Sequence, residues 1–198
     1  MDIYTIKSIE EAVYGCEECE DGARALVTLA GAAGETKTEM TEDWLAFIGA
    51  AEGTELVLCA DGKYRPLVKV AAAVIVSDSG EMLAAQRGSG EYKGRWEFPG
   101  GKVEVGETPQ QALVREIKEE LDADISIDGH ICTAEYDYPR FRLYMDCFLA
   151  GFSGGRPVLK EHTAVKWLTA DTLDTVDWLP ADKAVVKAVK QHIKKSAY

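Results

Sequence analysis

Residues 100–123 read GGKVEVGETPQQALVREIKEELDA, and they carry the strongest pattern in the chain. Three of the acids, Glu116, Glu119 and Glu120, are spaced i, i+3 and i+4, so a helix brings them to one face. Like charges at this spacing repel each other, and a divalent cation relieves the repulsion. Oxygen ligands favour Mg²⁺ or Mn²⁺ over zinc, and protein-bound Mg²⁺ usually completes its shell with waters and substrate phosphates. The stretch therefore predicts phosphate chemistry.

The boundaries and faces of this helix can also be predicted. Thr108, Pro109 and Gln111 have the residue types of an N-cap, a first helical residue and the third position of a capping box. Apolar side chains fill one arc of the helix and the acids fill another. The apolar residues are Leu113, Val114, Ile117 and Leu121. We expect one side of the helix to pack and the other to face a site.

The same stretch matches the pattern G-x5-E-x7-R-E-U-x-E-E, in which U is aliphatic. The matching residues are Gly101, Glu107, Arg115, Glu116, Ile117, Glu119 and Glu120. This pattern strongly resembles the Nudix box, the signature of hydrolases that cleave nucleoside diphosphates linked to another moiety. So many fixed positions in so short a stretch make the match far more specific than a single glycine motif.

One position departs from the family pattern. After Leu121 the family has glycine and then an aliphatic residue, whereas this chain has Asp122 and Ala123. The glycine would adopt the left-handed conformation that ends a helix, and aspartate tolerates that conformation better than most residues. We expect a small loss of stability and no loss of chemistry.

Composition narrows the class of protein. The chain has 198 residues, 46% of them hydrophobic, and a formal net charge of −12. This charge argues against binding of a nucleic-acid polymer, and no apolar run is long enough to predict a membrane span. The five cysteines are an odd number, and the first residues lack the features of an export signal, which favours reduced thiols and a cytoplasmic location.

The chain divides into two predicted parts near residue 66. Residues 1–66 read as a small β-rich appendage, with strands at 25–31 and 54–60 and a helix at 41–50. No catalytic pattern lies in this part, so a packing or dimerisation role is expected, with substrate gating as the alternative. Residues 67–198 alternate strands with two helices, which predicts an α/β domain with a mixed sheet. The resemblance implies that this part is a Nudix α/β/α sandwich.

The resemblance assigns roles to several box residues. Glu116, Glu119 and Glu120 would hold Mg²⁺, with Mn²⁺ as an alternative, and the Gly101 carbonyl would be a further ligand. Arg115, four residues before Glu119, would brace the acids, and Glu107 would support the site from behind.

Three residues outside the box complete the expected site. Arg87 lies where the family commonly has an arginine that faces the phosphates, and otherwise it is an exposed strand end. Lys102, beside the acidic helix, could meet a phosphate oxygen. Glu161, six residues before Trp167, corresponds to a loop acid of MutT-like members that acts as metal ligand or base. Its plain interpretation is a solvated loop acid.

The start of the last helix offers a candidate base contact. In MutT-like enzymes a polar residue here hydrogen-bonds the nucleobase, and by position that residue is Asp182. An ionised carboxylate only accepts hydrogen bonds, so it would suit an amine or ring N–H such as those of cytosine or guanine. The alternative interpretation is a helix N-cap.

Together these features predict an Mg²⁺-dependent MutT-like hydrolase. It would convert a nucleoside or deoxynucleoside triphosphate, oxidised or cytosine-type, to the monophosphate and pyrophosphate, as in nucleotide sanitation. Either Glu116 or Glu161 would accept the proton of the attacking water. The expected partner is a nucleotide, and a homodimer is compatible with the appendage. The alternatives are hydrolysis of ADP-ribose or another nucleoside diphosphate derivative, and a non-catalytic nucleotide sensor.

Overall fold

Two compact units make up the chain. The computed structural model describes residues 1–11, 23–154, 157–160 and 162–196. The first unit comprises Met1–Val68 and Asp137–Arg142, and the second comprises Lys69–Tyr136 and Leu143–Tyr198. Among the described residues, no helix is long and apolar enough to cross a membrane.

The first unit is an antiparallel sheet with one short helix. Its elements are β1 (Ile3–Glu11), β2 (Arg24–Gly31), β3 (Gly34–Thr41), α1 (Glu42–Ile48), β4 (Glu55–Leu58) and the beginning of β5 (Tyr64–Ile75). The strand order is β3-β2-β1-β4-β5. Residues Ile6, Val27, Leu29, Leu45 and Leu56 are buried together between the sheet and α1. The predicted helix and both predicted strands are present here, whereas β1 and β3 were not predicted.

The second unit holds the acidic helix. Its further elements are β6 (Met82–Gln86), β7 (Trp96–Glu97), β8 (Gly100–Lys102), α2 (Pro109–Leu121), β9 (Asp124–Asp137), β10 (Arg142–Gly154), β11 (Ala164–Leu168), the 3-10 helix Leu173–Thr175 and α3 (Asp182–Ser196). In this unit β5 has β8 on one side and β10 followed by β9 on the other. A second, three-stranded sheet has the order β11-β6-β7.

Side chains of β5 alternate between two apolar layers, as the period of a strand requires. Ala71, Ala73 and Ile75 pack in one cluster with Leu113 and Ile117 of α2. On the other side, Val74 lines an apolar cavity together with Val189 of α3. The predicted α/β class, with helices on both faces of a sheet, is therefore confirmed.

The predicted ends of α2 are confirmed in detail. Thr108 Oγ1 accepts a hydrogen bond from the Gln111 N–H at 3.2 Å, and Gln111 Oε1 accepts one from the Thr108 N–H at 2.9 Å. At the other end Asp122 has φ 50°, which is the left-handed conformation expected where the family has glycine. This reciprocal cap fixes the residue at which α2 begins and so fixes which residues form its acidic face.

Candidate active site

Arg115 is the centre of the ionic contacts on α2. Its guanidinium donates to Glu107 Oε1 and Oε2 at 2.8 and 2.9 Å, to Glu116 Oε1 at 3.0 Å and to Glu119 Oε2 at 3.3 Å. A fifth bond, of 3.0 Å, reaches the Lys102 carbonyl. The predicted Arg115–Glu119 pair is thus one part of a network, in which the two-pronged bond to Glu107 is the shortest.

Glu107 accepts hydrogen bonds from a side chain and from the backbone. The hydrogen bonds from Arg115 and from the Glu104 N–H lower the pKa of Glu107 to about 2, so this carboxylate is ionised throughout the neutral range. A charged Glu107 fixes the orientation of Arg115, because the guanidinium fork matches the two oxygens of one carboxylate. Arg115 in turn holds Glu116.

The carboxylate of Glu116 lies directly over Gly101. A methyl group placed on Gly101 would be 2.1 Å from Glu116 Cδ and 2.4 Å from both carboxylate oxygens. Gly101 belongs to β8 and pairs with Ala71 of β5, so the sheet fixes the surface on which this carboxylate rests. The structure therefore brings together Gly101 and Glu116, two of the predicted metal-binding residues.

The donors fit an oxygen-bound divalent cation. In the described part of the chain, no three acidic, thiol or imidazole groups converge into a ready-made metal cluster. Mg²⁺ does not need such a cluster, since one or two carboxylates usually hold it while waters and substrate phosphates complete its shell. The Glu116 carboxylate lies against the backbone of Gly101, and 59% of the Glu119 side chain is exposed. Both carboxylates therefore suit this mode of binding.

Arg87 and Glu120 lie in a second charged group of the same unit. Arg87 Nη1 donates to Glu97 Oε2 at 2.7 Å, and Glu97 Oε1 accepts at 3.1 Å from Nε2 of His162. Burial alone would lower the pKa of Arg87, but the charge of Glu97, its hydrogen bond to Arg87 and the charge of Glu120 raise it. The sequence patterns favoured structural roles for Glu97 and His162 and did not predict the hydrogen bond between them. The one available signal was an acid between the aromatic residues Trp96 and Phe98.

The remaining predicted residues have different surroundings. Lys102 has an exposed side chain next to Arg115, with which its carbonyl pairs. Glu161, the predicted loop acid, lies outside the described residues. Arg87 keeps 40% of its side chain exposed, so part of its guanidinium can meet a ligand.

Asp182 is buried, with 3% of its surface exposed, and its Oδ1 accepts from the Phe98 N–H at 2.8 Å. Burial raises its pKa to about 8, against the opposing effect of this backbone hydrogen bond. This shift favours the protonated carboxyl, which can donate a hydrogen bond as well as accept one. The expectation of an ionised, accepting carboxylate stays a prediction, which the pH dependence of stability tests. Asp182 is also the first residue of α3 rather than the residue before it.

We predict that this buried carboxyl makes stability depend on pH. The folded chain keeps the proton up to about pH 8, whereas the unfolded chain releases it near the ordinary aspartate pKa of 3.8. Between these values the folded state binds more protons, so the free energy of unfolding falls with rising pH by up to about 1.4 kcal/mol per unit. Urea unfolding from pH 5 to 9 should show this slope reduced in Asp182→Asn. Parallel curves for the two proteins would contradict the assignment.

Comparison with known proteins agrees with this geometry. The family model of the NUDIX domain matches residues 66–190. A putative 8-oxo-dGTP diphosphatase 2 of Mycobacterium tuberculosis is 36% identical over 133 residues, which cover 65% of this chain and 92% of the relative. The CTP pyrophosphohydrolase of Escherichia coli is 29% identical over 122 residues, covering 62% and 90%. The crystal structure of a MutT NUDIX hydrolase from Burkholderia pseudomallei superposes with a TM-score of 0.56 at 27% identity, covering 63% and 99%.

The fold, the box and these matches define the class of the protein. The chain belongs to the Nudix family. Within that family it is similar to MutT-like hydrolases, and it is an enzyme of the pyrophosphohydrolase type. Nudix hydrolases act on nucleotides and generally depend on a divalent metal. The predicted family and type of enzyme are thereby confirmed.

Proposed function

We propose that the protein is an Mg²⁺-dependent hydrolase that converts a nucleoside or deoxynucleoside triphosphate to the monophosphate and pyrophosphate. One water is consumed, and the anhydride bond between the α- and β-phosphates breaks. Mn²⁺ would substitute for Mg²⁺, since both accept oxygen ligands. The names of the similar proteins suggest 8-oxo-dGTP or CTP as substrate classes. We also propose a cytoplasmic location, on the basis of the cysteine content and the first residues of the sequence.

One observation carries the proposal: the Glu116 carboxylate lies against Gly101 and accepts a hydrogen bond from Arg115. Glu116, Glu119 and Glu120 would hold the cation, with the Gly101 carbonyl as an additional ligand. When bound, the cation would neutralise phosphate charge and make water a better nucleophile. Arg115 limits the repulsion among the acids and keeps Glu116 in one orientation. Glu116 or Glu161 would then accept the proton of the attacking water.

Cationic side chains would orient the phosphates. Arg87 presents a part-exposed guanidinium whose other face is tied to Glu97, so its direction is set before a ligand arrives. Lys102 is the last residue of β8, and its side chain is exposed. Fixed positive charges of this kind attract the phosphate oxygens and hold them in place.

Asp182 would recognise the base. A protonated carboxyl donates one hydrogen bond and accepts another, so it can pair with an edge that offers an acceptor beside a donor. Cytosine and guanine both present such an edge. The bond from the Phe98 N–H fixes the carboxyl rotation and so determines which oxygen is available.

For residues 1–66 we propose a packing or dimerisation role. The described residues of this part contain no group of three metal-ligating side chains. Light scattering on the full chain at several concentrations tests this role. A monomer at every concentration would exclude dimerisation, and packing would be the role that remains.

A hydrolysis panel tests the proposed reaction. The eight common triphosphates, 8-oxo-dGTP, 5-methyl-dCTP and ADP-ribose would each be incubated with Mg²⁺, and the products separated by chromatography. A Glu120→Gln variant purified in parallel excludes a contaminating enzyme. We expect monophosphate and pyrophosphate from one base class with the unaltered chain. Cleavage of ADP-ribose alone would overturn the triphosphate assignment, and absence of all turnover would favour a nucleotide sensor.

A further inference from the structure

Glu97 joins two side chains that come from distant parts of the second unit. Its Oε2 accepts from Arg87, which directly follows β6, and its Oε1 accepts from His162, which precedes β11. The side chains of Glu97 and His162 are 14% and 4% exposed, whereas that of Arg87 is 40% exposed. The buried pair therefore supports the one member that a ligand can reach.

The segment that carries His162 is fixed on both sides of it. The Lys160 N–H donates to the Glu120 carbonyl at 3.0 Å, which ties the segment to the end of α2. The Thr163 N–H donates to the Gln86 carbonyl at 3.0 Å, next to Arg87. His162 therefore lies between the acidic helix and the strand of the phosphate-facing arginine, and its position is set by backbone bonds rather than by its own side chain.

The imidazole makes a hydrogen bond through only one of its nitrogens among the described residues. Its Nε2 bonds Glu97, while its Nδ1 is buried and has no hydrogen-bond partner in the part of the chain that the structure describes. A buried polar atom without a partner costs free energy. The favourable hydrogen bond of this ring is therefore the one that Nε2 makes with Glu97. The pKa of His162 is lowered by burial but raised more strongly by the bond to Glu97 and by the charges of Glu120 and Glu97.

We propose that His162 is a positioning residue for Arg87. By donating to one oxygen of Glu97, it fixes the carboxylate whose other oxygen holds the guanidinium. Without that donor a buried carboxylate keeps a single strong partner and can rotate, which moves Arg87 with it. The inference deepens the proposed function and rests on it, because Arg87 is the side chain that would meet the phosphates.

Kinetics of three single variants separate positioning from a simple packing role. His162→Leu removes the donor and puts an apolar side chain of similar size in its place. His162→Gln retains an N–H near the position of Nε2. We expect His162→Leu to raise KM for the triphosphate about tenfold with kcat changed less than about threefold, and His162→Gln to restore most of the loss. His130→Leu is the matched control, since His130 also contacts an acid, Asp146, but lies on β9 with an exposed ring. This control should leave KM unchanged.

A double-mutant cycle gives the decisive kinetic result. If His162 acts through Arg87, then His162→Leu should change KM by less than about twofold when Arg87 is already alanine, because coupled residues do not add. Additive losses would overturn the proposal. So would a glutamine variant that is as impaired as the leucine variant.

A measurement on the metal-free, nucleotide-free protein tests the inference independently of any reaction. The ¹⁵Nη signals of Arg87, assigned by their loss in Arg87→Lys, should show hindered rotation of the guanidinium. We expect this hindrance to disappear in His162→Leu and to persist in His162→Gln. Equal rotation in all three proteins would overturn the proposal. The proposed function would fail separately, by the absence of triphosphate turnover in the unaltered chain.

Discussion

Replacing Glu120 by glutamine is expected to lower kcat/KM for the triphosphate substrate by about a thousandfold, because an essential charge is lost without a change of shape. Glu120 lies in the last turn of α2, close enough to influence the pKa values of both Arg87 and His162. It is thus the acid of the box that lies near Arg87, the arginine proposed to contact the phosphates. An amide offers neither the negative charge nor the oxygen pair that Mg²⁺ binds.

The control for this variant is Glu104→Gln, which removes the same charge from an exposed acid in the turn before α2. Initial rates at several Mg²⁺ concentrations should be unchanged in Glu104→Gln and very low in Glu120→Gln. Thermal unfolding should be similar for both variants. If Glu120→Gln retained more than about a tenth of the activity, Glu120 would not be a cation ligand.

Gly101→Ala is expected to reduce kcat by about a hundredfold while the fold survives. The added methyl group would occupy the position of the Glu116 carboxylate, 2.1 Å from its Cδ. A side-chain carboxylate can rotate away at low cost, so the clash displaces Glu116 rather than the backbone. A displacement of this size at a reacting centre commonly costs about two orders of magnitude in rate.

Two other glycines make this variant interpretable. Gly129 has no atom within 4 Å of its added Cβ, so Gly129→Ala should leave both rate and stability unchanged. Gly100 lies against backbone, with its added Cβ 2.1 Å from the Ala71 carbonyl oxygen, so Gly100→Ala should destabilise the fold. Urea unfolding and single-turnover rates on the three proteins check the contrast. A Gly101→Ala enzyme with normal kcat would show that Glu116 can act from another position.

The α2 region could be predicted from the sequence because its determinants are local. The capping box, the apolar arc and the box acids all lie within one short stretch, and helix geometry converts their spacing directly into neighbours. The same reasoning anticipated the left-handed Asp122. It also anticipated the Arg115–Glu119 contact, although the bonds of Arg115 to Glu107 are shorter.

The features that the sequence did not reveal depend on residues distant along the chain. Strand β3 has mostly exposed, polar residues, so it carries no alternating apolar pattern and forms because β2 pairs with it. The link from Arg87 through Glu97 to His162 joins residues up to 75 positions apart, since 162 − 87 = 75. The raised pKa of Asp182 likewise arises from its burial, which no local pattern specifies.

Arg115 bears on how the protein should respond to removal of a bound metal. Its positive charge is part of the chain and is bonded to Glu107, Glu116 and Glu119. The acids of α2 therefore carry their own counterion, unlike the thiolates of a zinc finger, whose folding waits for the metal. Under the proposed Mg²⁺ dependence, a chelator should abolish activity while the protein stays folded, and an added magnesium salt should restore activity without a refolding step.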